Sequence, residues 1–302
     1  MKRQPQIGWL SDGRRLHLQD GPIDLIVEAH GSEANLRGAY HAAVRRFTGL
    51  LDELCDELPA LREAADPAQC LLQGPVARRM HTAVAPFAAD HFITPMAAVA
   101  GSVAEEILGA MVGEASLDRA YVNNGGDIAL HLGGGEQFSV GLIDRPDQFG
   151  LLRTMIIGAS DPSRGIATSG RHGRSFSLGI ADAVTVLART ASQADAAATI
   201  IANAVDLPGH PAIVRCPAEE LQPDSDLGAR LVTRDVGHLE GFEIVAALEA
   251  GSDKARALLT WGLIDGAALH LQGETRVVAL KGFGASGRHA AVPQQIESAI
   301  CA

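Results

Sequence analysis

Cysteine is scarce in this chain, and its spacing excludes the common cysteine-based sites. Cys55, Cys70, Cys216 and Cys301 are scattered, and no C-x-x-C pair occurs. A zinc site or a redox motif built on closely spaced thiols is therefore not expected. Four cysteines in 302 residues also do not make a disulfide framework, so we expect reduced thiols in a cytosolic protein.

Targeting signals and basic blocks are missing as well. The net charge of −11 and the pI of about 5.4 argue against general binding to nucleic acids or anionic membranes. The N-terminal residues contain no apolar signal core and no cysteine for lipid attachment. No apolar run is expected to reach the length of a membrane span. The sequence thus predicts a cytoplasmic protein that acts on a small molecule, with no nucleic-acid or membrane partner.

The pattern of strands and helices predicts an α+β fold with antiparallel sheets packed with helices. No G-x-G-x-x-G follows a first strand, and no repeat of solenoid period occurs, so a Rossmann fold or a repeat fold is not expected. Strand patterns come mostly in hairpins, with helices between them, which favours antiparallel sheets over a doubly wound parallel fold. The expected strands cover 10–30 (a hairpin), 120–131 (strand, turn, strand), 137–144, 151–158, 165–169, 182–188, 231–236, 242–248 and 267–280.

Helices are expected over 33–58, from a cap at Thr94 and Pro95 to about 111, over 192–205 and over 252–262. Residues 1–280 are predicted to form a single domain, with two intimate lobes as the alternative. Residues 281–302 are predicted to be a C-terminal tail rich in glycine, alanine and polar residues, a composition open to flexibility.

The stretch 164–205 carries most of the functional information. A glycine, serine and arginine loop leads into a strand and then into an alanine-rich helix that carries Asp195 and Thr199. Four residues apart, they lie on one helical face, and two hard oxygens near a basic loop suit Mg²⁺ and a phosphate-bearing ligand. The plain alternative is an acidic first helical turn that complements its own helix dipole, which is the commoner situation on spacing alone.

Two glycine-rich segments are candidate ligand contacts. The turn Asn123-Asn124-Gly125-Gly126-Asp127 allows positive φ and close ligand approach, although an ordinary hairpin turn has the same composition. The loop 168–175 offers backbone N–H groups, hydroxyls, Arg171 and Arg174, which could cradle a phosphate, or it is a flexible solvent loop. His172 in this loop is a candidate to bind substrate or donate a proton.

Taken together, three motifs resemble the ApbE family of FAD:protein FMN transferases, and most closely its UPF0280 branch. They are T-P-M-A-A-V-A-G-S-V-A-E at 94–105, V-N-N-G-G-D-I-A at 122–129, and T-S-G-R-H-G-R-S-F-S-L-G-I-A-D-A-V-T-V-L-A-R at 168–189 leading into A-S-Q-A-D-A-A-A-T at 191–199. The likeness to UPF0280 extends over most of the chain. The likeness to the transferases covers roughly residues 90–205, in patches.

The resemblance implies a fold related to the T-fold and a pocket for FAD or FMN beside Mg²⁺. It assigns the Mg²⁺ ligands to Ala97 (through its carbonyl), Asp195 and Thr199, with Asp195 also a candidate catalytic group. It assigns cofactor contacts to Gly101, Asn123, Gly125, Gly126, Asp127, Thr168, Ser169, Gly170, Arg171 and Arg174.

The chain also departs from the transferase pattern. Ala100-Gly101 stands where the transferases usually have Lys-Gly, and the shorter Leu178–Asp182 replaces a histidine and a D-P-x-T-G segment. Four roles therefore stay open: Mg²⁺-dependent FAD phosphotransfer or hydrolysis, non-catalytic flavin binding, an enzyme that acts on a pterin or another phosphorylated cofactor intermediate, and a purely structural role. A homodimer is expected by analogy.

Overall fold

The structure is a computed structural model that describes residues 4–145, 148–279 and 300–301. Its contacts divide the chain into two compact units, each made of three chain segments. The first unit comprises Met1–Gln137, Gly158–Ala167 and Arg189–Ala196, and the second comprises Phe138–Ile157, Thr168–Ala188 and Ala197–Ala302. The predicted tail 281–302 lies outside the described residues apart from Ile300–Cys301, and the prediction of one domain or two lobes stays a prediction.

The strands and helices confirm the α+β class. The strands are β1 (Gln6–Trp9), β2 (Leu16–Asp20), β3 (Ile23–His30), β4 (Arg119–Asn124), β5 (Asp127–Leu132), β6 (Gln137–Arg145), β7 (Gln148–Gly158), β8 (Gly165–Ser169), β9 (Ala183–Ala188), β10 (Ile213–Pro217), β11 (Leu231–Val236), β12 (Gly266–Leu271), β13 (Glu274–Ala279) and β14 (Ile300–Cys301). The helices are α1 (Glu33–Phe47), α2 (Leu50–Asp56), α3 (Leu58–Leu61), α4 (Pro75–Val84), α5 (Val99–Glu114), α6 (Ala191–Ala204), α7 (Ala218–Leu221) and α8 (Gly241–Thr260), with 3₁₀ helices at Ala85–Phe87 and Pro95–Ala98.

The first unit is an antiparallel sheet with helices packed on it. Strands β1 to β5 are neighbours in chain order, each antiparallel to the next, and β8 adds Gly165 and Ile166 opposite Ala129 and Ile128 of β5. Alternate residues of β2 and β3 are buried, as expected for a sheet with one face against helices. Helix α5 packs against α1, β4 and β5 and forms the centre of this core.

One helix of the first unit is long and apolar enough to cross a membrane by length and composition alone. It covers Pro95–Glu114, so the expectation that no apolar run reaches that length is wrong on those two criteria. In the described structure, Glu105 and Glu106 on this helix form ion pairs with Arg79, and the helix packs on α1 and the sheet. A helix in the core of a globular unit meets the same two criteria.

The second unit contains three groups of strands. Strands β9, β12 and β13 pair antiparallel, with β12 in the middle, and α8 packs against β12 and β13. Strands β10 and β11 form a two-stranded antiparallel ribbon. In the third group, β6 lies between β7 and β14, and β14 runs parallel to β6.

Two element predictions are wrong. The expected helix 33–58 breaks at Gly49, whose φ of 87° ends one helix and begins another. The expected strand 242–248 belongs to α8, because Glu240 and Glu243 form a capping box that starts a helix.

The starts of α5 and α6 approach each other closely in the first unit. A Cβ atom added to Gly101, in the first turn of α5, would lie 2.3 Å from the carbonyl oxygen of Ala191. A Cβ atom on Gly165 would lie 2.1 Å from the carbonyl carbon and oxygen of Thr190. Because no side chain fits at either glycine, backbone packs directly on backbone here, and this contact sets the position of the first turns of both helices.

Two single substitutions in α5, one at a buried glycine and one at an exposed glycine, test this contact. We expect Gly101→Ala to lower the free energy of unfolding by about 2 kcal/mol or more, since the added methyl group meets backbone that cannot rotate away. The matched control is Gly109→Ala in the same helix, where a Cβ meets nothing within 4 Å. That change should raise the free energy of unfolding by about 0.5–1 kcal/mol. Urea unfolding of both variants measures the difference, and a Gly101→Ala protein as stable as the parent would contradict the close approach.

Candidate active site

Asp195 lies in the second turn of α6 and binds the start of another helix. Its Oδ2 accepts a hydrogen bond from the Gly101 N–H at 3.0 Å, and the Ala100 N–H donates to the same carboxyl group. The first turn of α6 contains no acidic residue, so the plain alternative, in which Asp195 complements its own helix dipole, is wrong. Asp195 instead provides the acceptor at the N-terminus of α5, whose N-cap residue Ala98 has no side-chain acceptor.

Helix α5 provides the corresponding carboxylate for α6. Glu105 Oε1 accepts a hydrogen bond of 2.6 Å from the Ser192 N–H in the first turn of α6. Thr190 Oγ1 accepts another from the Gln193 N–H at 3.3 Å, in the manner of an N-cap. Each helix therefore has its N-terminal N–H groups bonded by a carboxylate from the other. We call this arrangement the reciprocal cap.

Burial raises the pKa of Asp195 from 3.8 to about 7. The hydrogen bonds from the Gly101 and Ala100 N–H groups act in the opposite direction, because they stabilise the carboxylate, but they do not outweigh desolvation. The residue as a whole is partly exposed. Near neutral pH the group is therefore present both as the acid and as the carboxylate, which is a property of groups that exchange protons in catalysis.

Two further oxygen donors are the predicted cation ligands. Thr199 follows Asp195 by one turn of α6 and is partly exposed. Ala97 is partly exposed in the 3₁₀ helix Pro95–Ala98, and the hydrogen bonds of α5 start from the carbonyl of Ala98. The Ala97 carbonyl is thus outside the α5 ladder. Among the described residues, no group of three or more His, Cys, Asp or Glu side chains could hold a metal.

The predicted turn between β4 and β5 connects the two strands as a hairpin. Gly125 and Gly126 have φ of 66° and 112°, and Asn123 Oδ1 accepts a hydrogen bond from the Gly126 N–H at 2.8 Å. The sequence did not single out Asn124, which is buried and donates from Nδ2 to the Ala100 carbonyl at 3.2 Å. The turn is thereby connected to the start of α5. Ligand binding by Asn123, Gly125, Gly126 and Asp127 stays a prediction.

The predicted ligand loop of the second unit is held mainly by Asp182. Arg171 donates from Nε to Asp182 Oδ1 at 2.8 Å, and its Nη2 forms an ion pair with the same oxygen at 2.6 Å. Thr168 Oγ1 lies 2.9 Å from Thr185 Oγ1, Ser169 is partly exposed and Arg174 is exposed. Gly170 has a φ of 155°, and a Cβ there would lie 2.5 Å from the Asp182 carbonyl oxygen. The structure thus gives Arg171 an internal partner, and phosphate binding by Arg171 would have to use its other N–H donors.

The structure brings only some of the predicted residues into contact within a unit. In the first unit, Asp195 meets Gly101, and the turn that contains Gly125 reaches the start of α5 through Asn124. In the second unit, Gly170 and Arg171 both meet Asp182. Sequence reasoning missed Glu105 and Asp182 as site residues. In the sequence, they are visible only as an acidic residue in the middle of α5 and an acidic residue just before β9.

Comparison with known proteins defines the family. A family model described as AbpE bacteria matches residues 7–277. A UPF0280 protein of Methanopyrus kandleri is 36% identical over 182 residues, which are 60% of this chain and 69% of that protein. UPF0280 proteins of Methanothrix thermoacetophila and Archaeoglobus fulgidus are 40% and 34% identical, over 43% and 55% of this chain and 52% and 66% of their own lengths. The chain belongs to the UPF0280 family, an ApbE-like branch, as the motifs indicated.

Solved structures of ApbE proteins are more distant. The flavinyl transferase ApbE of Pseudomonas stutzeri in its apo form has a TM-score of 0.44 and 11% identity, covering 92% of this chain and 96% of its own. The flavin transferase ApbE of Vibrio cholerae has a TM-score of 0.42 and 12% identity, covering 92% and 98%.

The raised pKa of Asp195 predicts a pH dependence of stability. A carboxyl group whose pKa is raised by folding stabilises the protein fully below its unfolded pKa of 3.8, and this contribution is lost as the pH rises through about 7. The loss can reach about 4 kcal/mol. Asp195→Asn removes the titrating group. We therefore expect the free energy of unfolding of the variant, relative to that of the parent, to increase between pH 4 and pH 7.

Urea unfolding of both proteins at a series of pH values, in buffer with EDTA, measures this difference. The amide oxygen of the Asn variant can still accept the Gly101 N–H, so the variant is expected to fold. Parallel stability curves for the two proteins across this range would show that Asp195 is not desolvated in the folded state.

Proposed function

We propose that this protein cleaves the pyrophosphate of FAD in a Mg²⁺-dependent reaction. The FMN part is transferred to an acceptor hydroxyl group or to water, and AMP is released. The observation that carries the proposal is the Asp195 carboxyl group, held by two amide N–H groups at the N-terminus of α5 with a pKa of about 7. The family membership supports it, because the motifs that resemble FMN transferases include this residue.

The residue types proposed for the site suit a Mg²⁺ ion. The proposed ligands are the Ala97 carbonyl, the Asp195 carboxylate and the Thr199 hydroxyl, all hard oxygen donors of the kind that Mg²⁺ prefers. The carboxylate of Asp195 has about four acceptor positions, so its bonds to Gly101 and Ala100 leave room for a cation. When bound, Mg²⁺ would neutralise negative charge on the pyrophosphate.

The protein groups have defined tasks in this reaction. The acceptor hydroxyl loses its proton to Asp195, its oxygen bonds to the phosphorus of the FMN part, and the bond to the AMP oxygen breaks. A bound cation would lower the pKa of Asp195 from its metal-free value, so the base form that accepts the proton would be available at neutral pH. The N-terminus of α5 is a favourable place for negative charge.

Ligand contacts are proposed in each unit separately. In the first unit they are Gly101, Asn123, Gly125, Gly126 and Asp127, whose glycines allow close approach of a flat ring. In the second unit they are Thr168, Ser169, Gly170 and Arg174, with the exposed Arg174 facing phosphate, while Arg171, which is paired with Asp182, is proposed to affect the ligand through the loop that it holds. A cytoplasmic location and a homodimer are inferred from the sequence alone and stay predictions.

Release of AMP from FAD tests the proposal. The purified protein with FAD and Mg²⁺ should release AMP, and EDTA should abolish the release. Asp195→Ala should lower the rate at least about 100-fold, since it removes both a cation ligand and the proton acceptor. The matched control is Asp253→Ala, which removes an exposed carboxylate of α8 and should leave the rate unchanged.

The other outcomes separate the alternatives. Bound flavin without AMP release would favour a non-catalytic flavin-binding protein. No affinity for FAD at all would exclude both flavin functions and leave an enzyme that acts on a pterin or another phosphorylated cofactor intermediate. AMP release that persists in Asp195→Ala or in EDTA would place the reaction elsewhere.

A further inference from the structure

The short segment that departs from the transferase pattern ends in a buried carboxylate that the proposed reaction does not use. Asp182 is only 7% exposed and immediately precedes β9. A buried carboxylate is costly unless charged or polar groups surround it. The partners of Asp182 therefore indicate what the residue does.

One oxygen of Asp182 faces the predicted ligand loop. Oδ1 accepts from Nε of Arg171 and forms an ion pair with its Nη2, and His172 Nε2 lies 3.3 Å from the same oxygen. The backbone takes part too, because the Arg171 N–H donates to the Ala181 carbonyl at 2.9 Å. Gly170 packs so closely on the Asp182 carbonyl that no side chain fits there. Asp182 and the residue before it thus hold Arg171 by hydrogen bonds and lie against its two neighbours, Gly170 and His172.

The other oxygen holds the turn between β12 and β13. Oδ2 accepts from the Gln272 N–H at 2.6 Å. Among the described residues, Gln272 is the one non-glycine residue with a positive φ, 44°. Its side chain donates to the Gly237 carbonyl at 2.8 Å and accepts from the Leu239 N–H at 3.2 Å. Asp182 therefore connects the ligand loop to a turn that is itself held from two sides.

The two arginines of the loop lie in different environments. The Arg171 side chain is 16% exposed, and two of its donors bind Asp182, so its charge balances a buried carboxylate. Arg174 is exposed at the end of the same loop. A cation that is already paired attracts a phosphate group less than one that faces solvent, because the net charge of the pair is near zero.

We propose that Asp182 is the positioning residue of the loop 168–174, with Arg171 as its internal counter-ion, and that Arg174 is the loop cation that contacts the phosphate groups of the ligand. The assignment of the ligand rests on the proposed function. The anchoring of the loop by Asp182 does not, and it can be measured without any ligand.

Hydrogen exchange of the ligand-free protein tests the anchor. Asp182→Asn should speed exchange of the amide groups in 168–174 and at Gln272 at least tenfold, since the anion that holds both segments is lost. The matched control is Asp253→Asn, which removes an exposed carboxylate paired with Arg256 and should leave these amides unchanged. Unchanged exchange in Asp182→Asn would overturn the proposal, whatever the protein binds.

The affinity for FAD in the presence of Mg²⁺, measured at several salt concentrations, tests the division between the arginines. Arg174→Gln should raise the Kd at least tenfold and flatten its salt dependence, with exchange of the loop amides unchanged. Asp182→Asn should raise the Kd as well, through the released loop. Arg171→Gln added to Asp182→Asn should raise the Kd no further, since Arg171 acts through Asp182; this double variant also avoids an unpaired buried carboxylate if Arg171→Gln alone fails to fold.

Two results would overturn the division. One is a flatter salt dependence in Arg171→Gln like that in Arg174→Gln, and the other is a further rise of the Kd in the double variant. If the parent protein does not bind FAD, the proposed function fails, and the exchange experiment still decides whether Asp182 positions the loop.

Discussion

The reciprocal cap between α5 and α6 is the constraint on which the rest of the first unit depends. Asp195 of α6 accepts from the first turn of α5, and Glu105 of α5 accepts from the first turn of α6. The helix N-termini can meet only because Gly101 and Gly165 leave room for backbone contact with Thr190 and Ala191. Two partial positive charges that would repel each other are thereby each neutralised by a carboxylate from the opposite helix.

The same contact explains why Asp195 is chemically unusual. A cap residue at a protein surface keeps a low pKa, but burial desolvates this one and raises its pKa to about 7. The same geometry therefore suits a capping role and a catalytic role. The two roles are compatible, because a carboxylate has more acceptor positions than two amides use.

The second unit applies the same principle at Asp182, where a buried carboxylate is shared between a loop and a turn. Sequence reasoning treated Leu178–Asp182 as the loss of a cofactor-contacting insert. The structure shows that the last residue of this segment has acquired contacts of its own with Arg171 and Gln272. A residue in a segment that replaces a family motif can therefore connect a loop and a turn through contacts of its own.

Local patterns in the sequence determined the α+β class, the hairpins, the bounds of β8, the glycine turn and the one-turn spacing of Asp195 and Thr199, because alternation, turn chemistry and helical period act over a few residues. Local patterns misjudged 242–248, where a capping box outweighed the β-branched and aromatic composition. They could not show that Asp195 bonds Gly101, 94 residues away, or that Glu105 bonds Ser192, 87 residues away. Only the tertiary structure decided those partners, since burial and hydrogen-bond geometry depend on which distant segments pack together.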